Sequence, residues 1–548
     1  MESIATKQSR KQLFRGFLVN FILLIAAVLF FALAQPNLLS VKGFPLVAYI
    51  AFVPLFLLIR RISFKTSFIW GALYGALCYC VFTYWLAVFH PLAMYIIAAL
   101  YFLWLMAVIP LLKLADSLFP RRGYILQWAI WVGYEYLKIQ GFNGYSYGVI
   151  GYSQWSWPVI IQIASIFGVW GVSALVTFPS AWIAGALKEN AKGPVRTWAL
   201  GVPKFAREHK VSAVLWLAFF AFTLVYGVLS PIDYGNHKKV KLALIQPNSD
   251  PWIGGLKAYQ RDYETLVRLS DEALAAHPDI GLVVWPETAF IPRIEWHHRY
   301  REDRASFELV TRLLEYLDSV PVPFLLGNDD AVLAPTEDGS LGRQDYNSVF
   351  LFRPGINVSP PEPERYRKMH LVPFTEHFPY RKSFPWVYDI LIENDTHFWE
   401  KGSNPKVFDA AGLRFSTPIC FEDTFGYISR RFVKEGARSI INLTNDAWAS
   451  SGPSQWQHMS MAVFRAVENR VPLVRATASG QTCMVDPNGV IQNMAEAFTE
   501  TWLVCEVPVL EDAKRTPYIL WGDLLGILFV IGSFMALIYG ILTRLRNM

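Results

Sequence analysis

Three segments of the chain place a reactive side chain just after an apolar run. Val283-Val-Trp-Pro-Glu-Thr-Ala-Phe290 carries Glu287, Tyr366–Pro379 carries Lys368 and Glu376, and Phe415–Phe425 carries Cys420 and Glu422. A strand that ends there delivers its next side chain to the carboxyl edge of a sheet, where α/β proteins bind their ligands. Pro286 helps to end the first of these runs. A thiol with a pKa near ~8.5 is mostly protonated at neutral pH, and the thiolate is the form that attacks. A carboxylate within reach can take the proton, and an ammonium favours the thiolate and can offset the charge of a tetrahedral oxyanion. Taken singly, each residue reads as ordinary: a Glu or Lys after a strand is usually a solvated loop residue, and a lone Cys usually packs in a core. The combination carries the signal.

Other candidates lack the context their chemistry needs. Gly144-Tyr-Ser-Tyr-Gly148 fits the serine-hydrolase elbow pattern, but that pattern requires a strand before it and a helix after it. Here it lies in a Gly- and Tyr-rich loop between two apolar runs. No His-Glu-x-x-His, paired Cys-x-x-Cys or helix-opening Gly-x-Gly-x-x-Gly occurs. The adjacent His297 and His298 point apart on most backbones, which disfavours a metal site. Neither a metal nor another cofactor is expected.

The elements that must hold the three segments fall in residues 235–512. Strand patterns at 240–245, 281–285, 323–326 and 438–443 alternate with helical spacing at 259–276, 307–317 and 456–468. Such alternation predicts an α/β domain. Phe384–Ile392 has no clean alternation, so it is either a core segment or an apolar arm. The first 230 residues are different. Apolar runs at about 16–34, 44–59, 67–88, 92–112, 123–137, 158–187 and 211–229, with an eighth at 518–543, suggest membrane crossings. Hydrophobic residues make up 53% of the 548, charged residues 17%, against about 25% charged in a soluble chain. The first run is too long for a cleaved signal peptide, and no small-residue cleavage site follows it.

Eighteen basic residues flank one side of this ladder and two, Lys42 and Lys138, the other. The positive-inside rule then puts both termini in the cytoplasm and residues 235–512 outside. The net charge of +6 is thus a topology signal, and nucleic-acid binding is not expected. Glu135 lies inside a run, either in structural pairing or at an interfacial position near the outer end of a short span, or else as a contact to a lipid headgroup or substrate. Cys483 and Cys505 share a compartment and could pair.

Trp285-Pro-Glu-Thr-Ala289, Lys368 with Leu371-Val-Pro-Phe-Thr-Glu376, and Ile419-Cys-Phe-Glu422 resemble the catalytic motifs of the nitrilase, or carbon–nitrogen hydrolase, superfamily. Asn442-Leu-Thr-Asn-Asp-Ala-Trp448, Gln457-His458 and Arg465-Ala-Val-Glu468 extend the likeness. Gly141–Gly148, Gly151–Gln154, Ile161–Ala164 and Gly168–Ser173 join it to the membrane ladder, so that nearly the whole chain resembles the apolipoprotein N-acyltransferase family. The resemblance implies an α-helical membrane bundle of about eight transmembrane helices plus an extracytoplasmic α/β nitrilase-like αββα sandwich. The divisions are 1–234 for helices one to seven, 235–512 for the catalytic domain, and 513–548 for helix eight and a cytoplasmic tail.

By the same resemblance Cys420 is the nucleophile, Glu287 the general base and Lys368 the oxyanion stabiliser. Glu376 is placed to hold the lysine and the thiol, while Phe421 and Glu422 support the site. Phe421 stands where the family often has Tyr, which keeps the backbone N–H and loses a hydroxyl. Ala449-Ser450 stands where the family often has Phe-Gly, and Trp252 loosely matches a lid tryptophan. The implied partners are a phospholipid acyl donor, a diacylglyceryl apolipoprotein acceptor and the bilayer, with the enzyme a monomer in the bacterial inner membrane. The implied reaction is acyl transfer through a Cys thioester, the last step of lipoprotein maturation. A membrane-tethered amidase or nitrilase using water, and a transporter or scaffold with an inactive domain, are the rival readings.

Overall fold

A computed structural model describes the chain except residues 1–3, 90–91, 189–192, 194, 251–252, 336–338, 394–396, 511–514 and 548. Trp252 and the basic Lys192 lie outside the described residues. The chain forms two compact units, residues 1–229 with 523–548, and residues 230–522.

The first unit is helical. Among the described residues, five helices are long and apolar enough to cross a membrane: Gln12–Ala34, Ala93–Leu118, Val169–Ala186, Lys210–Leu229 and Leu524–Arg546. The apolar runs expected at 44–59, 67–88 and 123–137 overlap the helices Val53–Arg61, Phe64–Phe82 and Gly123–Leu137, of 9, 19 and 15 residues. The run expected at 158–187 is not one helix. It is broken into Pro158–Ile161, Ala164–Phe167 and Val169–Ala186, the last break falling where Gly168 turns the backbone at φ 63°. The run at 518–543 breaks in the same way at Gly522, φ 61°, between Pro517–Trp521 and Leu524–Arg546.

Helices 64–82 and 93–118 pack closely because Gly75 lets their backbones meet. A Cβ there would sit 2.1 Å from the Tyr101 carbonyl oxygen. Two polar residues are consumed inside this unit. Lys138, read from sequence as a flanking charge, is buried, and its ammonium donates to Tyr79 Oη at 2.7 Å and to the Tyr147 carbonyl at 2.8 Å. Glu135 is also buried and accepts from Ser173 Oγ at 2.6 Å, Ile150 N at 3.1 Å and Trp131 Nε1 at 3.2 Å. These bonds are the structural pairing that was one of its two readings. They tie the 150–154 turn to the helices.

The second unit is a stack of two six-stranded sheets. The strands are β1 (Lys239–Gln246), β2 (Ile280–Val284), β3 (Phe324–Pro335), β4 (Leu341–Phe352), β5 (Glu364–Arg367), β6 (Val407–Ala410), β7 (Leu413–Ser416), β8 (Ser439–Thr444), β9 (Leu473–Thr477), β10 (Cys483–Val485), β11 (Ile491–Met494) and β12 (Thr501–Pro508). One sheet runs β12-β1-β2-β3-β4-β5, the other β11-β10-β9-β8-β7-β6. Each has three parallel central strands, β1-β2-β3 and β7-β8-β9, with antiparallel flanks. The parallel strands β2, β8 and β9 are nearly all buried, as strands covered on both faces are, and the polar Asn442 and Arg475 among them are hydrogen-bonded inside.

Amphipathic helices 256–276 and 304–319 cover the first sheet through Leu266, Leu269, Val310 and Leu313, which pack around Trp285 and Phe324. Helices 426–434 and 452–469 serve the second sheet. The result is an αββα sandwich. Phe384–Ile392 is not a core segment. Pro385–Glu393 is a short helix that leaves Phe384, Trp386, Ile390 and Ile392 exposed, with Leu391 turned inward. Cys483 and Cys505 are buried but unpaired, and all five cysteines are free thiols.

Candidate active site

Five of the six residues expected at the site converge on loops that leave the sheets. Glu287 follows β2 by three residues, and its turn crosses directly over β3. That crossing needs Gly327, because a Cβ there would lie 2.5 Å from the Pro286 carbonyl oxygen and from Thr288 N. The Glu287 carboxylate is buried and has a donor at each oxygen. Oε1 accepts from Asn347 Nδ2 at 2.8 Å and Lys368 Nζ at 3.3 Å, and Oε2 accepts from Asn445 N at 3.0 Å.

Lys368 follows β5 and is completely buried. Its own N–H continues the ladder to the Asn347 carbonyl at 2.9 Å. Its ammonium reaches Glu376 Oε1 at 2.8 Å as well as Glu287, and Glu376 Oε2 takes the Val372 N–H at 2.9 Å. Burial opposes the lysine charge, but Glu376 and Glu287 outweigh it and hold the ammonium above the usual lysine value. Burial in turn raises the Glu376 carboxyl, with Lys368 pulling the other way.

Cys420 opens the 3₁₀ turn Cys420–Thr424 with φ +47°, a left-handed conformation that few non-glycine residues adopt and that costs on the order of 1–2 kcal/mol. Neighbours on both sides hold it there. Ile419 bridges to Leu443 of β8, and Asn442 Nδ2 binds the carbonyls of Pro418 at 3.0 Å and Cys420 at 3.3 Å. The partly exposed thiol senses both charged partners. Burial raises its pKa well above the ordinary value, the Glu287 charge adds to that, and Lys368 opposes it.

Glu422 joins two of these loops. Its fully buried carboxylate accepts from Tyr366 Oη at 2.8 and 2.9 Å, Met369 N at 2.8 Å, His370 N at 2.9 Å and Ile419 N at 2.8 Å. Burial raises this carboxyl to about 7 against the pull of the amides, and three obligate N–H donors fit the ionised form. The sixth residue, Phe421, has its side chain buried against Phe425, ring centroids 4.9 Å apart, and not among the polar groups.

Sequence reading missed Asn347 and Tyr366, which look like ordinary strand residues, and the ring behind the nucleophile turn. There His458 touches Asp423 and Asp446, and Arg475 touches the same two carboxylates. Asn445, Asp446 and His458 lay in quoted motifs without roles, and Arg475 gave no signal. The Gly144–Gly148 pattern sits between a helix and a 3₁₀ turn, without the strand it would need.

The buried Glu287 and Lys368 and the partly exposed Cys420 lie on edge loops of two stacked sheets, and the domain that carries them is of the carbon–nitrogen hydrolase class. The family model described as carbon-nitrogen hydrolase matches residues 241–517, and that of the apolipoprotein N-acyltransferase N-terminal domain matches 26–182. Apolipoprotein N-acyltransferase 1 of Treponema denticola is 49% identical over 97% of this chain and 98% of its own. Its namesake in Treponema pallidum is 48% identical over 96% of both chains, and the Geobacter metallireducens apolipoprotein N-acyltransferase is 30% identical over 94% of both. The chain belongs to the apolipoprotein N-acyltransferase family.

Proposed function

We propose that the enzyme moves an acyl chain from a membrane phospholipid to the α-amino group of the diacylglyceryl-cysteine that begins an apolipoprotein, in two half-reactions through Cys420. In the first, Sγ attacks an ester carbonyl of the phospholipid while Glu287 takes the thiol proton. Lys368 and the Phe421 backbone N–H stabilise the oxyanion. Collapse expels the glycerol oxygen, which recovers the proton from Glu287 and leaves as lysophospholipid. In the second, the acceptor amine attacks the thioester, Glu287 accepts an amine proton and returns it to the departing sulfur, and an amide results. Thioester to amide is downhill, so the transfer needs no nucleotide.

The observation that carries this reading is the hydrogen-bonded set Glu287–Lys368–Glu376 with Cys420 under its field. Lys368, kept charged between two carboxylates, can meet a transient oxyanion without giving up its proton. Glu376 acts on the lysine rather than on substrate.

The finer placement belongs to the same reading. Eight helices cross the bacterial inner membrane, seven of them before residue 235 and the last at 524–546, with both termini in the cytoplasm. Residues 235–512 then work as a monomer on the periplasmic side. The exposed apolar face of Pro385–Glu393 suits contact with lipid.

The deciding experiment is intact mass of the full chain after incubation with phospholipid alone. One added acyl chain on Cys420, removed by an amine acceptor to give N-acyl peptide, is the expected result. Free fatty acid released in place of acyl-enzyme would identify water as the acceptor and overturn the transferase reading.

A further inference from the structure

Behind the nucleophile turn lies a closed ring of four buried charged groups that the two half-reactions do not use. His458, on helix 452–469, places Nε2 2.8 Å from Asp423 Oδ1 and Nδ1 2.8 Å from Asp446 Oδ1. Arg475 of β9 closes the ring with Nη1 on Asp423 Oδ2 and Nη2 2.9 Å from Asp446 Oδ2. Asp423, His458 and Arg475 are at most 4% exposed and Asp446 9%. Two carboxylates face one guanidinium, so the ring is neutral only when the imidazole carries both protons. Both ring nitrogens meet carboxylate oxygens, and only an imidazolium can donate to both.

The carboxylates belong to different loops. Asp423 is three residues after Cys420, in the same 3₁₀ turn. Asp446 follows Asn445, whose N–H binds Glu287 Oε2 at 3.0 Å. The ring therefore ties the turn holding the sulfur to the loop holding the carboxylate that takes its proton.

We propose that His458, as an imidazolium bridging Asp423 and Asp446, is a positioning residue that fixes the approach of Cys420 to Glu287. The proposal rests on those two residues acting as described above. Among the described residues, Cys420 on the turn and Cys483 on β10 are titratable groups that also act on the ring. Burial alone would lower His458, but Asp423 and Asp446 outweigh it and raise it to about 9. Loss of one proton above that pH breaks one of the two links and leaves the other.

The test is single-turnover acylation of the full chain in detergent with phospholipid alone, followed as the lysophospholipid burst. In His458→Gln the amplitude should remain near one per enzyme while the rate constant falls roughly 10- to 100-fold, with the phospholipid KM within about twofold of the native enzyme. The native rate constant should show an alkaline limb near pH 9 that His458→Gln lacks. Should that variant fail to fold, Asp446→Asn decides: it keeps an acceptor for Nδ1 but removes a charge that holds the proton, so the limb should move down by about one pH unit or more. A reduced amplitude with a native rate constant, or a limb unmoved in the variants, overturns the proposal. Lysophospholipid release by Cys420→Ala would instead overturn the underlying assignment of the nucleophile.

Discussion

Replacing Glu422 by Gln should separate two loops that the native carboxylate holds together. Its two oxygens take three backbone N–H groups and one hydroxyl: Met369 N and His370 N on Oε1, Ile419 N on Oε2, and Tyr366 Oη on both. A Gln has one acceptor oxygen. Set on the Met369 and His370 side, it keeps those two bonds but turns its NH₂ against the Ile419 N–H. The Tyr366 hydroxyl can rotate to accept, whereas the Ile419 amide cannot. One orphaned buried N–H costs about 1–3 kcal/mol, and loss of charge assistance at the two retained bonds adds about 1 kcal/mol each. Relief from burying a charge offsets part of this, leaving a net cost of about 2–4 kcal/mol.

For a unit of this size, that cost lowers the unfolding midpoint by about 4–8 °C. Met369 and His370 directly follow Lys368, and Ile419 directly precedes Cys420, so the acylation rate should fall on the order of 100-fold. The assay is thermal unfolding by tryptophan fluorescence, beside the lysophospholipid burst, at pH 8, where a carboxyl at about 7 is ionised. Tyr366→Phe is the comparison. It removes one donor, strands no backbone group, and should cost under about 1 kcal/mol with little change in rate. Equal behaviour of the two variants in both measurements would refute the bridging role of the carboxylate.

Cys420→Ser should lose transfer by on the order of 1,000-fold or more, because a carboxylate is a weak base for an alcohol; hydroxylamine-labile acyl label on the variant would contradict this. Glu287→Gln should slow acylation by about 10²–10⁴, yet move alkylation of Cys420 by a small neutral reagent to lower pH, since the carboxylate charge raises the thiol; a shift to higher pH would count against that coupling. His458 is raised from 6.5 to about 9 on folding, so its contribution of about 3 kcal/mol is complete below pH 6.5 and is lost as pH rises through 9. The unfolding midpoint should therefore fall between pH 7 and 10, and fall less in His458→Gln. A thiol reagent that cannot cross membranes should modify Cys420 in intact spheroplasts carrying Cys483→Ser and Cys505→Ser, and prior acylation should block it; modification only after the inner face is opened would reverse the topology.

The loops of Glu287 and Cys420 were legible because each comes after a strand with buried apolar residues and carries a side chain rarely left there without purpose, whereas Lys368 follows the polar strand Glu364–Arg367 and stood out only through its motif. The helices 256–276, 304–319 and 452–469 were legible from their spacing. The hairpin β3–β4 was not. Its outer half carries Asp329, Asp330 and Asp345, which break the apolar alternation, and these charges are paired by Arg293, Arg365 and Arg367 from other segments. Partners of that kind cannot be read from local pattern. Lys138 misled for a related reason. A basic residue at the end of an apolar run reads as a flank, and only the tertiary fold reveals that Tyr79 and the Tyr147 carbonyl draw it inward. The role of Asn445 rests on its backbone N–H, a group every residue but proline possesses, so its side chain gave no cue.

The outermost partners in the first sheet are the first and last strands of their unit. Lys239 at the start of β1 stands opposite Pro508 at the end of β12, which places their Cα atoms roughly 5 Å apart. Entry to and exit from the sandwich thus share one doorway. A hydrolase whose ends already meet can be spliced between two helices of another protein without rethreading a strand, and the splice demands nothing of the host beyond a short gap. Membrane anchorage of this chemistry is therefore a matter of insertion, and the same doorway is where an engineer would cut to graft the sandwich onto a different anchor.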